Sequence, residues 1–294
     1  MKISIVIVGY NSAQPLLKLL RSLNKVRSNA SLYEIIYVDD GSTDDSINVF
    51  TSFSLNYNKQ HFQFKKNYGR VFATNQGIKL AKGDWVLLLQ SNVVVHPDII
   101  NEYVKIIKNF DAVAYSGTIH YTSLDLRFQK YLNHPKRGLN SVSNMSVINY
   151  ENLLFGNCII KKSLFQDIPL NLNLKHYGGE ELDFAYRLNS RHYKMFRYCK
   201  KSIVTRENHP SFKKHLVRLF EFGSTNLNFL EYDLQKKLVK FSFLLNKNLI
   251  NKAFLSILFF ILIACYNLKI KTLDFHLFRG LLFCSIMRGY YFSK

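Results

Sequence analysis

The chain opens on a nearly continuous β-branched run, residues 3 to 8, the pattern of a strand covered on both faces. Leu16, Leu17, Leu19, Leu20 and Leu23 follow at helical spacing, so this segment predicts strand, turn and helix. An apolar run recurs at 35 to 38 and stops at Asp39-Asp40-Gly41-Ser42-Thr43-Asp44, a cluster suited to capping a helix that begins near Asp45. Residues 71 to 81 read as a further helix, 85 to 89 as a third buried strand ending at Gln90-Ser91-Asn92, and 97 to 109 as a helix with Pro97 in its first turn. The alternation predicts an α/β fold with a Rossmann-like, mainly parallel sheet flanked by helices. Its ligand crevice should lie beyond the carboxyl ends of the strands, where the polar clusters at 9 to 12, 39 to 44 and 90 to 92 fall.

From 112 to 150 the pattern weakens to short strands and loops around Lys136 and Arg137. Helices are expected near 161 to 167, and from the loop Gly178-Gly179-Glu180-Glu181 to about Ser190. Beyond Pro210 the texture changes to basic amphipathic helices, which divides the chain into an α/β domain at 1–210 and a basic, hydrophobic helical extension at 211–294. Residues 249 to 266 are the most apolar, yet the charge-free stretch at 253 to 265 falls short of the ~18 to 20 residues that span a bilayer. This stretch is expected to lie in a membrane interface, with Lys213, Lys214, Arg218, Lys236, Lys237 and Lys240 near anionic headgroups.

Composition narrows the classes. At 48% hydrophobic and 20% charged residues the chain is neither disordered nor collagen-like. Its net charge of +20 is concentrated toward the end: residues 1 to 189 are near +6 and residues 190 to 294 near +14. Such an excess calls for an anionic partner, whether nucleic acid, acidic lipid or a phosphorylated substrate. No nucleic-acid recognition motif is present, so no specific nucleic-acid partner is expected. Cys158, Cys199, Cys265 and Cys284 form no C-x-x-C pair, which argues against a zinc site and for a reducing cytoplasm. The N-terminal apolar run lacks the small-residue cleavage site of a secretory signal and reads as a buried strand.

The succession IVIVGYNSAQPLLKLLRSL, IIYVDDGSTDDS, NYGRVFATNQGIKLAKGDWVLLLQSN and GGEELDFAYRL resembles the family 2 glycosyltransferases of the GT-A fold, over roughly residues 1 to 210. A dinucleotide enzyme would need G-x-G-x-x-G after its first strand, where this chain has Gly9-Tyr10-Asn11-Ser12. The resemblance implies a nucleotide-sugar donor, with Val8, Tyr10 and Asp40 bordering its base and ribose and Asp39 buried beside them. Asn67, Gly69, Asn75 and Gly77 fit the family's N-x-G-x-x-x-x-x-N-x-G pattern, and Arg70 is placed to pair with phosphate. Each has a plainer reading: Asp39 and Asp40 as loop and cap residues, Gly77 as a small residue where a helix packs closely on the sheet.

At the end of the third strand the resemblance implies D-x-D, whose last Asp ligates a divalent cation, Mn²⁺ or Mg²⁺. Here Gln90-Ser91-Asn92 stands instead, and amide oxygens are poor substitutes for carboxylate on a hard cation. Three outcomes stay open: a weak site held by Asn92 and the diphosphate itself, with His209 as a further weak ligand; a metal-independent enzyme that neutralises the leaving group with Lys or Arg; or a chain that has lost activity and binds donor or a partner without turnover. In each, Ser91 and Asn92 are expected to border the donor. Glu180 and Glu181 match the family's E-D pair, which implies that Glu181 is the general base of an inverting transfer, its extra methylene shifting the reach by ~1.5 Å. Asp183 is the reserve candidate, and all three acids also favour the positive end of their helix. The expected function is sugar transfer to a glycan or polyprenyl-linked acceptor in cell-surface polysaccharide synthesis, by a cytoplasmic protein peripheral on the inner face of the cell membrane.

Overall fold

The computed structural model describes residues 1–27, 31–239, 242–268 and 273–292. The first half alternates as expected: β1 (Ile3–Gly9), α1 (Ala13–Leu23), β2 (Leu32–Asp39), α2 (Ser46–Ser52), β3 (Asn58–Gln63), α3 (Arg70–Leu80), β4 (Trp85–Gln90), β5 (Val93–Val95) and α4 (Ile99–Asn109). There follow β6 (Ala114–Tyr121), α5 (Leu126–Leu132), β7 (Asn157–Lys161), α6 (Leu164–Asp167), α7 (Glu180–Arg191) and β8 (Phe196–Arg206). The extension contributes α8 (Phe212–Ser224), α9 (Tyr232–Val239), α10 (Leu249–Asn267) and α11 (Asp274–Phe292).

The strands form one sheet in the order β3-β2-β1-β4-β7-β6-β8-β5. Its first half, β3-β2-β1-β4, is parallel throughout. Beyond β4 it is mixed: β7 runs antiparallel to both β4 and β6, β6 and β8 are parallel, and β5 closes the edge antiparallel to β8. β3 is an element the hydrophobic pattern did not predict. Its sequence, NKQHFQ, is that of an edge strand exposed at alternate positions.

Successive side chains of a strand point to opposite faces, and here both faces are covered. Ile3, Ile5 and Ile7 pack with Leu16, Leu19 and Leu20 of α1 and with Ile99, Ile100 and Tyr103 of α4. Val6, Val38 and Leu88 face the other way, onto α3, α7 and the extension, whose Leu227, Leu234, Leu244, Met287 and Tyr290 belong to that same core. A Cβ on Gly77 would stand 2.3 Å from Val6 Cγ1, so this glycine serves the close packing of α3 on the sheet. Within the extension α8 and α11 meet backbone to backbone: a Cβ on Gly223 would lie 1.9 Å from the Ile286 carbonyl, and one on Gly289 2.0 Å from that of Phe220.

The apolar helix departs from the sequence expectation. Lys252 lies inside α10 instead of ending it, so the helix runs for 19 residues with a mean hydropathy of 2.1 over its apolar window. By length and composition it suffices to cross a membrane, and the argument that the stretch is too short does not hold. Leu255 is buried, whereas Ile250, Phe254, Ile257, Phe260 and Ile261 are each more than half exposed.

Candidate active site

The loops at the carboxyl ends of β1 and β2 are tied into one wall, and the Ser91 N–H after β4 joins it by donating to the Val8 carbonyl at 3.2 Å. The Asn11 N–H donates to Ser42 Oγ at 2.8 Å, Asn11 Oδ1 accepts from the Thr43 N–H at 2.9 Å, and the Ser12 N–H donates to Ser46 Oγ at 2.8 Å. Asn11 takes a left-handed conformation, φ +46°, to do this. Asp39 is fully buried and accepts from the Ser42 N–H and hydroxyl, the Tyr37 hydroxyl and Gln63. Asp40, also buried, accepts from the N–H groups of Tyr68 and Gly69 at 2.9 and 3.0 Å, which fixes the turn into α3. Burial pushes the Asp40 carboxyl above its ordinary range; those two donors pull it back, and Asp39 adds to the rise. Gly69 has φ +97°, and a Cβ there would stand 2.9 Å from the Lys175 carbonyl, so the turn admits no side chain without strain.

These turns border a cleft of about 800 Å³. Of the residues singled out in the sequence, Val8, Tyr10, Asp40, Asn67, Gly69, Arg70, Ser91 and Asn92 line it together. Tyr10 stands at its lip, half exposed. Asp39 does not line it: its oxygens are spent inside the loop, in the plainer of the two roles expected of it. Asn75 lies half-buried along α3, also off the cleft wall.

A second cavity of about 150 Å³ adjoins the first, sharing Gln90, Tyr177 and Arg206 with it. Glu181 lines it. The N-terminus of α7 sets this position: Gly179, with φ +91°, turns the chain so that Glu180 and Glu181 open the helix. Glu180 is buried and paired with Arg70 across the cleft wall. Glu181 Oε2 accepts from the Phe155 N–H at 3.0 Å. Burial raises the Glu181 carboxyl above the usual range; Arg70 opposes the rise, Glu180 adds to it, and the Phe155 N–H and Arg206 oppose it more weakly.

Two candidates lie elsewhere. Asp183, in the first turn of α7, is buried, accepts from Arg187 Nε and Nη2 at 2.9 and 2.7 Å, and lines neither cavity. His209 does not join Asn92: it lines the smaller cavity, its Nδ1 donating to the Pro210 carbonyl and its ring packed on Tyr121, Phe128 and His215. Burial and nearby Arg206 push its imidazole down to about 4, and burial and His209 push His215 down to about 3.

Sequence reasoning missed Lys175, Tyr177, Arg206 and Glu221, which also line the main cleft; Arg218, expected near anionic headgroups, lines it too. Tyr177 carries Arg218 over its ring at 5.4 Å and Arg70 at 6.0 Å. The one available signal was the basic excess after residue 190, which does not say which cations converge.

The residues at the end of β4 do not fit a divalent cation. Asn92 Oδ1 is a buried acceptor without a hydrogen-bond partner, but it is a neutral amide, and among the described residues no three of His, Cys, Asp and Glu come together so as to hold a metal ion.

Residues 4–168 match the profile described as "Glycosyl transferase family 2". The chain is 24% identical over 246 residues to the uncharacterized glycosyltransferase YfnE of Bacillus subtilis, covering 80% of this chain and 59% of that protein. It is 32% identical over 134 residues to the undecaprenyl-phosphate 4-deoxy-4-formamido-L-arabinose transferase of Sodalis glossinidius, covering 44% and 40% of the two chains. The chain thus spans about half the length of the curated relatives it matches. Among solved structures, S. aureus TarS 1-349 in complex with UDP-GlcNAc superposes over 99% of this chain and 90% of that one, with a TM-score of 0.60 at 16% identity. GalNAc-T7 with UDP, GalNAc and Mn²⁺ gives 0.56 at 15% identity, over 80% and 53%.

Proposed function

Since the chain belongs to glycosyl transferase family 2 and has the GT-A fold, we propose that it is an inverting glycosyltransferase that takes its sugar from a nucleotide-diphosphate donor held in the main cleft. The observation that carries this reading is the position of Glu181, a carboxyl with raised proton affinity in a small cavity that opens beside the large one. The large cavity takes the donor: Tyr10 offers an aromatic face to the base, Asp40 accepts from base or ribose, and the cations meet the diphosphate. An acceptor hydroxyl enters from the side of Glu181. As its oxygen bonds to the anomeric carbon, the bond from that carbon to the diphosphate oxygen breaks, and the hydroxyl proton passes to the Glu181 carboxylate. Phe155 holds Oε2, leaving Oε1 to receive the proton.

The UDP and UDP-GlcNAc complexes of TarS support a uridine diphosphate sugar as the first donor to try. The similarity to an undecaprenyl-phosphate transferase and to E. coli chondroitin synthase supports a polyprenyl-linked or glycan acceptor in cell-surface polysaccharide synthesis. The exposed apolar face of α10 supports attachment to the inner face of the cell membrane, which would bring such an acceptor to the cleft. Purified protein given a panel of nucleotide sugars should release nucleoside diphosphate, and Glu181→Gln should abolish release while still binding donor. Turnover unchanged in Glu181→Gln would remove this residue as the base. Donor binding without release, across donors and acceptors, would favour a non-catalytic binding protein.

A further inference from the structure

The donor reading puts a diphosphate in the main cleft, and the present inference rests on it. Four cations line that cleft, Arg70, Lys175, Arg206 and Arg218, against two carboxylates, Asp40 and Glu221. Arg70 is already matched by Glu180, and Asp40 by two backbone N–H groups. Glu221 faces His176 at 3.9 Å. The cleft therefore carries an excess of positive charge before any ligand arrives.

Arg206 is the best placed of these cations. It ends β8, which pairs with β5 so that Arg206 stands in register with Val93, the residue after Asn92. The next N–H, that of Glu207, donates to the Asn92 carbonyl at 3.2 Å. The guanidinium is thus rooted on the rung beside Gln90-Ser91-Asn92. Its Nε is buried without a hydrogen-bond partner, as is Asn92 Oδ1, and both residues line the cleft. A buried donor left unmade costs free energy that an anionic oxygen would recover, and a guanidinium fork matches phosphate geometry. Neutral amides at the same place hold a hard cation poorly.

We propose that Arg206, assisted by Arg218, binds and neutralises the donor diphosphate in the role that a divalent cation would otherwise fill, so that donor binding is independent of metal. A fixed guanidinium in a partly dry cleft stabilises the charge that develops on the leaving diphosphate without reorganisation at the moment of transfer.

Calorimetric titration tests this with UDP, GDP, ADP and CDP, each in excess EDTA and again in saturating Mn²⁺. The nucleotide that binds should do so with Kd agreeing within about twofold between the two buffers. Arg206→Gln should weaken it roughly ten- to a hundredfold in EDTA, and Arg206→Lys, which keeps the charge, should recover part of the loss. Arg218→Gln, half-buried on the cleft side of α8, should weaken it in the same direction with the thermal midpoint unchanged, which guards against a folding defect at Arg206. Binding that appears in Mn²⁺ and vanishes in EDTA would overturn the inference and leave the glycosyltransferase reading standing. So would undiminished binding in both Arg206→Gln and Arg218→Gln. Absence of binding by all four nucleotides in both buffers would remove the donor reading, and this inference with it.

Discussion

Asn226, in the short turn after α8, grips His176 by its backbone: its side-chain Nδ2 donates to the His176 carbonyl at 2.8 Å while its Oδ1 accepts from the His176 N–H at 3.2 Å. The same Nδ2 donates to the Gly178 carbonyl at 2.7 Å, and the side chain is fully buried. A residue of the extension thereby stands in for a strand, holding the segment that carries Tyr177 and leads into Glu180 and Glu181. Asn226→Ala leaves three backbone groups without partners and should destabilise the fold by about 2–4 kcal/mol in chemical denaturation. It should also weaken nucleotide binding, because Lys175, His176 and Tyr177 all line the cleft.

Glu181→Gln should lower kcat roughly a hundred- to ten-thousandfold. If Glu181 is the base, kcat/KM of the native protein should rise with pH through an inflection above the ~4.3 of an ordinary glutamate, since the base must be ionised and burial holds its proton. A carboxyl whose folded-state proton affinity is raised contributes stability at low pH and loses it as pH climbs past its unfolded value. The glutamine variant should therefore be at least as stable as the native chain near pH 7, and denaturation at that pH checks it.

His209 and His215 work in the opposite sense. Both are held neutral in the fold, with values near 4 and 3, whereas in the unfolded chain they protonate near 6.5. Their contribution is fully present above about pH 6.5 and is lost as pH falls below it. At pH 5 each should cost on the order of 1–2 kcal/mol relative to pH 7. His215→Phe should flatten that part of the stability profile, measured as the thermal midpoint across pH 5 to 7.

Gly179→Ala should destabilise by about 1–3 kcal/mol, because φ +91° strains any side chain and the new Cβ would lie 2.7 Å from Phe222 Cε2. In the double variant with Phe222→Leu the steric part should be relieved and the backbone part should stay, a difference that urea titration resolves.

Replacing Ile257 and Ile261 by Glu should abolish flotation with anionic vesicles while leaving the fold intact, since both side chains are more than half exposed. Retention of the variant on the vesicles would remove α10 as the attachment face.

The parallel half of the fold was legible because β1, β2 and β4 are apolar runs buried on both sides, each ending at a polar cluster. β3 was not, because an edge strand of mostly polar residues carries little hydrophobic signal. Nor was β7: its short run, NCIIK, was assigned to no strand, and four or five residues do not say which way a strand runs. In the cleft, residues on the turns after β1, β2 and β4 were found because the chain order brings them together. Arg206 and Asn226 were not, and Arg218 was given to lipid headgroups, since each reaches the site from an element whose partner lies far away in sequence: β8 on β5, α8 on α11. Arg70 was assigned to phosphate, and its pairing with Glu180 depends on the placement of two distant helix N-termini.

The seam where α8 and α11 touch at Gly223 and Gly289 reaches beyond packing. Arg218 and Glu221, which line the main cleft, ride on α8, so that wall is levelled by a helix more than sixty residues downstream. Trimming the protein at residue 210 would strip away that support, and with it both a wall of the cleft and part of the core beneath the sheet.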